Sequence, residues 1–308
     1  SAPWLLSSLQ VGLLINFDHC LTMCFINPLQ TSTDDRTESS PPQNTATAPR
    51  AAFVGCSDTT SLLTSDPSIL DLIEAMEQIA RRFDRGMPPS AIVVVSPDWQ
   101  TQEVTVTSAW QPALEYDYSE LSTEYGGMPN LMGSPQVAER IQSLLKRGGV
   151  NCEADAQAPL GDAVIGPAAL MFPGVPVVSM SILTSMSIDA HIRIGKLLQP
   201  LVDEGVYFLG LGCSSNNLDF CEVEGDPLVL GFVEDFKESL DKMVVGRKGG
   251  DASEALRRWD SLPSARFNHP TEDHLMPLLL VAAAAGDARV SQVDATVVGL
   301  PISNYVFA

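Results

Sequence analysis

The chain has 308 residues, 45% of them hydrophobic and 18% charged, enough apolar material for one large α/β domain or two small ones and too much for a globally disordered chain. Lys and Arg number 18 against 38 Asp and Glu, a formal charge of −20; such a field repels phosphate backbones, and no basic patch offsets it, so nucleic acid is excluded as an expected partner. Six cysteines, at positions 20, 24, 56, 152, 213 and 221, form no paired CxxC motifs, which excludes a disulfide-stapled fold and a structural zinc ribbon and leaves free, mostly buried thiols as the expectation.

Residues 1–17 carry no charge, and after Asp18 and His19 the uncharged character resumes over residues 20–33. The first run is short for a membrane span and is diluted by Pro3, Ser7, Ser8, Gln10 and Asn16, so it reads as an apolar arm lying on the domain or on a partner. Residues 34–50 are rich in Ser, Thr, Pro, Asp and Asn and read as a linker. The first residue is Ser1 rather than Met, which admits a removed targeting peptide.

The folded domain is expected over residues 51–308. Residues 51–55 predict a short strand that runs into a loop at 56–60. A helical period follows over 69–83, with Leu70, Ile73, Met76, Ile79 and Ala80 on one face and Arg81 and Arg82 near its C-terminal end. Residues 91–95, Ala-Ile-Val-Val-Val, predict a buried parallel strand that delivers Ser96, Pro97, Asp98 and Trp99 at its carboxyl end, where ligands bind in open α/β sheets. Residues 103–107 alternate like a half-exposed strand, and 116–131 are turn-rich. A helix is predicted over 134–147 with Pro135 at its start and Gly148-Gly149 after it. Strands at 175–182 and 206–210 bracket a helix at 188–202, and the second strand ends in a polar loop at 212–217. Helices at 232–245 and 251–259 and closing strands at 290–298 and 303–307 complete the pattern. Strands alternating with helices define an α/β fold: a single domain with a central mixed sheet flanked by helices, plus the apolar N-terminal arm.

The most distinctive stretch spans residues 268–278, Asn-His-Pro-Thr-Glu-Asp-His-Leu-Met-Pro-Leu, which holds two of the four histidines. Pro270 and Thr271 suit a helix start, Glu272 and Asp273 suit the positive end of its dipole, and His274 would lie in the first turns. A histidine held there is either a metal ligand or proton carrier, or simply a hydrogen-bonded structural group. Pro270 to Leu278 resembles the Pro-Thr-x-x-His-x-x-Pro-Leu motif of the class III extradiol ring-cleavage dioxygenases of the 4,5-DOPA dioxygenase type. Supporting similarities are Ile92 to Val95 before Ser96-Pro97-Asp98-Trp99, Gly133-Ser134-Pro135, Met171-Phe172-Pro173, Pro176-Val177-Val178 with Ser181-Ile182, Asn217-Leu218, and Ser303-Asn304-Tyr305-Val306-Phe307.

The resemblance implies a mononuclear non-haem iron(II) held by three histidines, with catechol and dioxygen on its open positions. It also implies that this chain keeps one ligand of three. The first ligand position falls on Cys56, the second on Asp98 and the third on His274. Two further family histidines, expected to handle substrate and oxygen protons, fall on Asp162 and Asn216, and neither side chain does imidazole acid–base chemistry near neutral pH. His191 matches a family histidine that lies on a helix and is not a ligand. The expected reading is therefore a catalytically silent homologue, with no catalytic residue, cofactor or metal expected, iron or zinc occupying the site only if it is still used. It would act as a structural or binding subunit, reaching protein partners through residues 1–33, in a larger complex of an organellar membrane such as that of a plastid or mitochondrion. Two alternatives stand beside it: a Cys56/Asp98/His274 zinc site of hydrolase type, and a residual iron-dependent catechol dioxygenase. The plain readings are a buried thiol for Cys56, a loop-capping carboxylate for Asp98 and a helix-start structural group for His274.

Overall fold

The structure is a computed structural model that describes residues 49–83, 88–115, 129–217 and 226–308. The arm at 1–33, nearly all of the linker, the turn-rich stretch at 116–128 and Cys20, Cys24 and Cys221 lie outside the described residues. The described residues fall in a single unit, Ala46–Ala308.

Eight strands form the main sheet. They are β1 (Ala51–Val54), β2 (Ala91–Thr101), β3 (Val104–Thr107), β5 (Cys152–Asp155), β7 (Val177–Leu183), β8 (Val206–Leu211), β9 (Val290–Val297) and β10 (Leu300–Phe307), in the order β5-β3-β7-β2-β8-β1-β10-β9. Two short strands, β4 (Leu114–Glu115) and β6 (Leu160–Gly161), pair separately. The central strands β7, β2, β8 and β1 run parallel, while β10 joins β1 antiparallel and β3 joins β7 antiparallel, so the sheet is mixed, as the sequence predicts. The central strands are apolar throughout because both of their faces are covered. In β1, Ala51 and Phe53 enter the core on one face and Ala52 and Val54 the core on the other; in β2, Val93 and Val95 oppose Ile92 and Val94 in the same way.

On one face lie α3 (Pro135–Arg147), α5 (Ile188–Asp203), α6 (Pro227–Val244), α7 (Gly249–Ala255) and α9 (Met276–Ala285). On the other lie α1 (Thr59–Thr64), α2 (Leu70–Phe83) and α4 (Asp162–Met171), and α8 (Ala265–Asn268) is a single turn ahead of α9. Helix α3 starts as predicted: the Ser134 hydroxyl accepts from the Val137 amide at 3.4 Å, and Pro135 opens the first turn. Helix α9 reads Met-Pro-Leu-Leu-Leu-Val-Ala-Ala-Ala-Ala and all ten residues are buried. A helix apolar on every side must be enclosed, and small residues let its neighbours close in. A Cβ on Gly195 of α5 would lie 2.3 Å from the Leu280 carbonyl oxygen, so only glycine permits that approach.

Several boundaries differ from expectation for physical reasons. The strand expected to end at Val95 continues to Thr101, with a register shift against β7 between Ser96 and Gln100 that leaves Pro97 to Trp99 out of the regular ladder. Strand β3, expected to be half exposed, is buried along its length, because its polar positions are satisfied inside: the Ser181 hydroxyl accepts from the Thr105 amide at 3.0 Å and the Thr107 hydroxyl from the Ser179 amide at 2.9 Å. The helix expected to contain His274 starts at Met276, and His274 belongs to the 3-10 turn Asp273–Leu275 just before it. Arg50, just ahead of the predicted domain start at Ala51, donates to the Phe307 carbonyl at 2.7 Å and accepts from the Phe208 amide at 3.2 Å.

Candidate functional site

The carboxyl ends of the parallel strands open onto one cavity of about 1000 Å³. Its walls bring together Cys56, Asp98, Asp162, Asn216 and His274, every position singled out from the sequence, along with Cys213, which was not. A second depression of about 980 Å³ lies between α2, α6 and the β9–β10 hairpin; its lining is mostly acidic, with Glu74, Glu77, Glu234 and Glu238, and its Lys237 is paired with Asp241 and Asp294.

The pairing of β1 with β8 explains why Cys213 is there. Val54 lies opposite Leu211 in the parallel register, so two residues further on Cys56 and Cys213 leave adjacent strands side by side. Their Sγ atoms are 3.7 Å apart. His274 completes the group: its Nδ1 lies 3.7 Å from Cys56 Sγ and accepts from the Cys213 amide at 3.2 Å. The ligand atoms of Cys56, Cys213 and His274 all fall within 4.8 Å of one another.

Each member is held by backbone contacts from a different element. The Gly55 amide, just before Cys56, donates to Asn304 Oδ1 of β10 at 2.8 Å, and Asn304 Nδ2 donates in turn to the Val293 carbonyl at 3.0 Å. Gly212, just before Cys213, backs directly onto the turn that carries His274: a Cβ there would lie 2.3 Å from the His274 carbonyl oxygen. After Cys213, the Ser214 hydroxyl accepts from the Ser303 amide at 2.8 Å, and the Ser214 carbonyl accepts from His269 Nε2 at 3.0 Å. His269 is thus a buried structural histidine between the rings of Phe236 and Trp259, and burial first of all pushes it down to about 4, so it is neutral. His191, on helix α5 as expected, is also buried and structural, with Nε2 accepting from the Leu183 amide at 3.1 Å and Nδ1 donating to the Ser187 carbonyl at 2.8 Å.

Electrostatics divide the two thiols. The hydrogen bond with Cys56 and the neighbouring His274 hold the Cys213 thiol well below its usual range, against the opposing effect of burial. The same sulfur–sulfur contact, with burial, pushes Cys56 well above it. Burial works against charging His274, but Cys213, with Asp273 and Asp98, outweighs it and raises the imidazole above its ordinary value. Asp98 reaches into the cavity, where desolvation by the walls lifts its carboxyl more than His274 and the Ser96 hydroxyl at 3.5 Å lower it. It caps no loop amide among the hydrogen bonds of the described residues, so the loop-capping expectation for Asp98 is not met; it is a cavity carboxylate.

Asp162 opens helix α4 and ties it to α1: its Oδ1 accepts from the Thr59 amide at 3.2 Å and its carbonyl from the Thr59 hydroxyl at 2.6 Å. The Asn216 amide is bound to the Asn268 carbonyl at 2.9 Å, and Asn217 Nδ2 donates to the Phe267 carbonyl, so this loop is anchored to α8. The expected Cys56/Asp98/His274 grouping is therefore a Cys56/Cys213/His274 grouping with Asp98 beside it. The signal for Cys213 in the sequence is a cysteine just beyond a parallel strand, at the edge where sites form, but nothing in the chain marks that strand as the neighbour of β1.

Comparison with known proteins places this architecture. The profile of the family described as "catalytic LigB subunit of aromatic ring-opening dioxygenase" matches residues 63–308. The chain belongs to that family, the class III extradiol dioxygenase type. It is 28% identical over 205 residues to a 4,5-DOPA dioxygenase extradiol of Mirabilis jalapa, covering 64% of this chain and 74% of the relative. A protein of the same description from Escherichia coli K12 is 28% identical over 206 residues, 64% of this chain and 73% of its own length. A crystal structure of an uncharacterized Escherichia coli K12 protein superposes with a TM-score of 0.62 at 25% identity, covering 84% of this chain and 99% of the other.

Enzymes of this family are typically metal-dependent, and the resemblance read from the motifs implies iron(II) on three imidazoles. The donors present do not fit that centre. Cys56 and Asp98 replace two of the three imidazoles, a second sulfur from Cys213 joins Cys56 and His274, and thiolates shift the preference toward soft, thiophilic ions. The described residues therefore include a donor group able to hold a metal ion, where the sequence reading expected none.

Proposed function

We propose that this LigB-family chain no longer opens aromatic rings and serves as a binding or structural subunit of a larger assembly, with an organellar membrane complex as its setting. The observation that carries the reading is the donor set at the strand ends, Cys56 and Cys213 against His274. Extradiol chemistry requires a redox-active iron with open positions and an imidazole acid–base pair beside it. Here Cys56 and Asp98 stand at two of the three expected ligand positions, a second sulfur, Cys213, lies beside them, and Asp162 and Asn216 stand where the proton-handling imidazoles are expected. Asp162 is committed to the start of α1, which supports a structural use of that position.

The partner-binding half of the reading rests on the uncharged character of residues 1–33, interrupted only by Asp18 and His19, which suits an arm seated on another protein. Two experiments test the two halves. After anaerobic iron(II) loading, a catechol such as DOPA with oxygen should yield no coloured ring-opened product; its appearance with turnover would overturn the loss of ring opening. A truncated chain starting at Pro49, which keeps the Arg50 pairing, should fold and lose its partners in co-purification from the native source. Unchanged co-purification would remove the arm from the proposal.

A further inference from the structure

We propose that Cys56, Cys213 and His274 form a site for a tetrahedral, thiophilic divalent ion of the zinc class, with its fourth position facing the cavity. The spacing of the donors carries it. Zinc binds sulfur at about 2.3 Å and imidazole nitrogen at about 2.0–2.1 Å, so tetrahedral angles require about 3.8 Å between two sulfurs and about 3.6 Å between sulfur and nitrogen. The structure has 3.7 Å between Cys56 Sγ and Cys213 Sγ, and 3.7 Å between Cys56 Sγ and His274 Nδ1. An octahedral arrangement with right angles would instead bring two such sulfurs to about 3.3 Å. The two edges that meet at Cys56 are therefore those of a tetrahedron, and the third, between Cys213 and His274, lies within 4.8 Å.

Charge and rigidity agree with the geometry. Two thiolates and a neutral imidazole around a dication sum to zero, which is the charge a largely enclosed site tolerates. The donors come from three segments, the ends of β1 and β8 and the turn before α9, and each is fixed by main-chain contacts. Asn304 holds Gly55, the Ser303 amide holds Ser214, and Gly212 packs against the His274 carbonyl. The Cys213 amide now donates to Nδ1 at 3.2 Å, a long bond whose lone pair an ion would take over. The fourth position opens toward Asp98 and the cavity, where water or an exogenous ligand completes the shell.

This inference is independent of the proposal that ring opening is lost, and the two fail separately, since metal content and product formation are different measurements. The full-length protein is purified with reductant and without chelators, its metal content and free thiols are counted, and the metal-free form is titrated with zinc or cobalt(II) alone. The expected result is one zinc per chain and, with cobalt, intense thiolate-to-metal charge-transfer absorption together with tetrahedral ligand-field bands. Cys213→Ser and Cys56→Ser should each weaken zinc binding by about a hundredfold or more and remove part of the charge-transfer intensity, whereas Cys152→Ser, remote on β5, should leave both unchanged. The wild-type cobalt spectrum stands even if a variant fails to fold. Weak octahedral cobalt bands, stoichiometric iron in the native protein, a Cys56–Cys213 disulfide, or free thiols that bind no metal would each overturn the proposal.

Discussion

At the residue scale, the two histidines of the 268–278 stretch have opposite environments despite lying five positions apart. His269 is sealed among Phe236, Trp259 and the Ser214 carbonyl, and its ring is pushed from 6.5 down to about 4. The unfolded chain therefore takes up a proton at a pH where the folded chain does not. Stability is full above pH 6.5 and is lost between about 6.5 and about 4 as pH falls, a loss of about 3 kcal/mol from this side chain. His191, also lowered by burial, adds a loss of the same sign. In His269→Gln, whose amide can still donate to Ser214, the fall in unfolding free energy between pH 7 and pH 4.5 should shrink by most of that amount; an unchanged pH profile in urea titrations would refute the assignment. Gly212 makes a second test. Gly212→Ala forces a methyl group against the His274 carbonyl and should cost about 3 kcal/mol, with a lower urea midpoint at an unchanged m-value.

At the element scale, helix α9 is the axis of one face of the domain, and it fixes the turn that carries His274. Its enclosure depends on close contact with α5, so Gly195→Ala should destabilise by about 1–3 kcal/mol even though alanine is the better helix former, because the clash is with the backbone oxygen of Leu280. Equal or higher stability in thermal unfolding would show that α5 can retreat freely. The Asn304 side chain links β10 to β1, and Asn304→Ala should leave the Gly55 amide buried and unpaired at a cost of about 2 kcal/mol, measured in the same unfolding assay. These elements also show what was legible in the sequence. Strands β1, β2, β7 and β8 read as apolar runs because both faces are buried, and α2, α3 and α5 carry a helical period. Strand β5, Cys-Glu-Ala-Asp, has no such run, and β3 alternates Val with Thr whose partners lie across the sheet, so the existence of the first and the depth of the second were not written locally. Cys56, Asp98 and His274 were legible through a motif, whereas Cys213 becomes a site residue only when the β1–β8 register sets it beside Cys56.

At the scale of the whole molecule, charge is the dominant feature: −20 from 38 acids and 18 bases. Most ion pairs among the described residues lie at the surface, such as Arg140 with Glu204 at 2.6 Å and Lys196 with Glu254 at 2.7 Å, and each contributes little. The acids outnumber the bases by 20, so like-charge repulsion outweighs these attractions in the folded state. Salt screens both, shortening the Debye length from about 30 Å at 0.01 M to about 8 Å at 0.15 M, and the larger, longer-ranged repulsive sum loses more. The unfolding free energy should therefore rise by about 1 kcal/mol on going from 0.01 M to 0.15 M sodium chloride at pH 7.5, where His269 and His191 are neutral in both states and contribute nothing. A fall in thermal midpoint over that range would mean that surface pairs, not net charge, govern the stability of this domain. The same field attracts cations, so zinc uptake at Cys56, Cys213 and His274 should slow as salt rises, while the donor geometry, fixed by backbone contacts, should leave the cobalt spectrum unaltered.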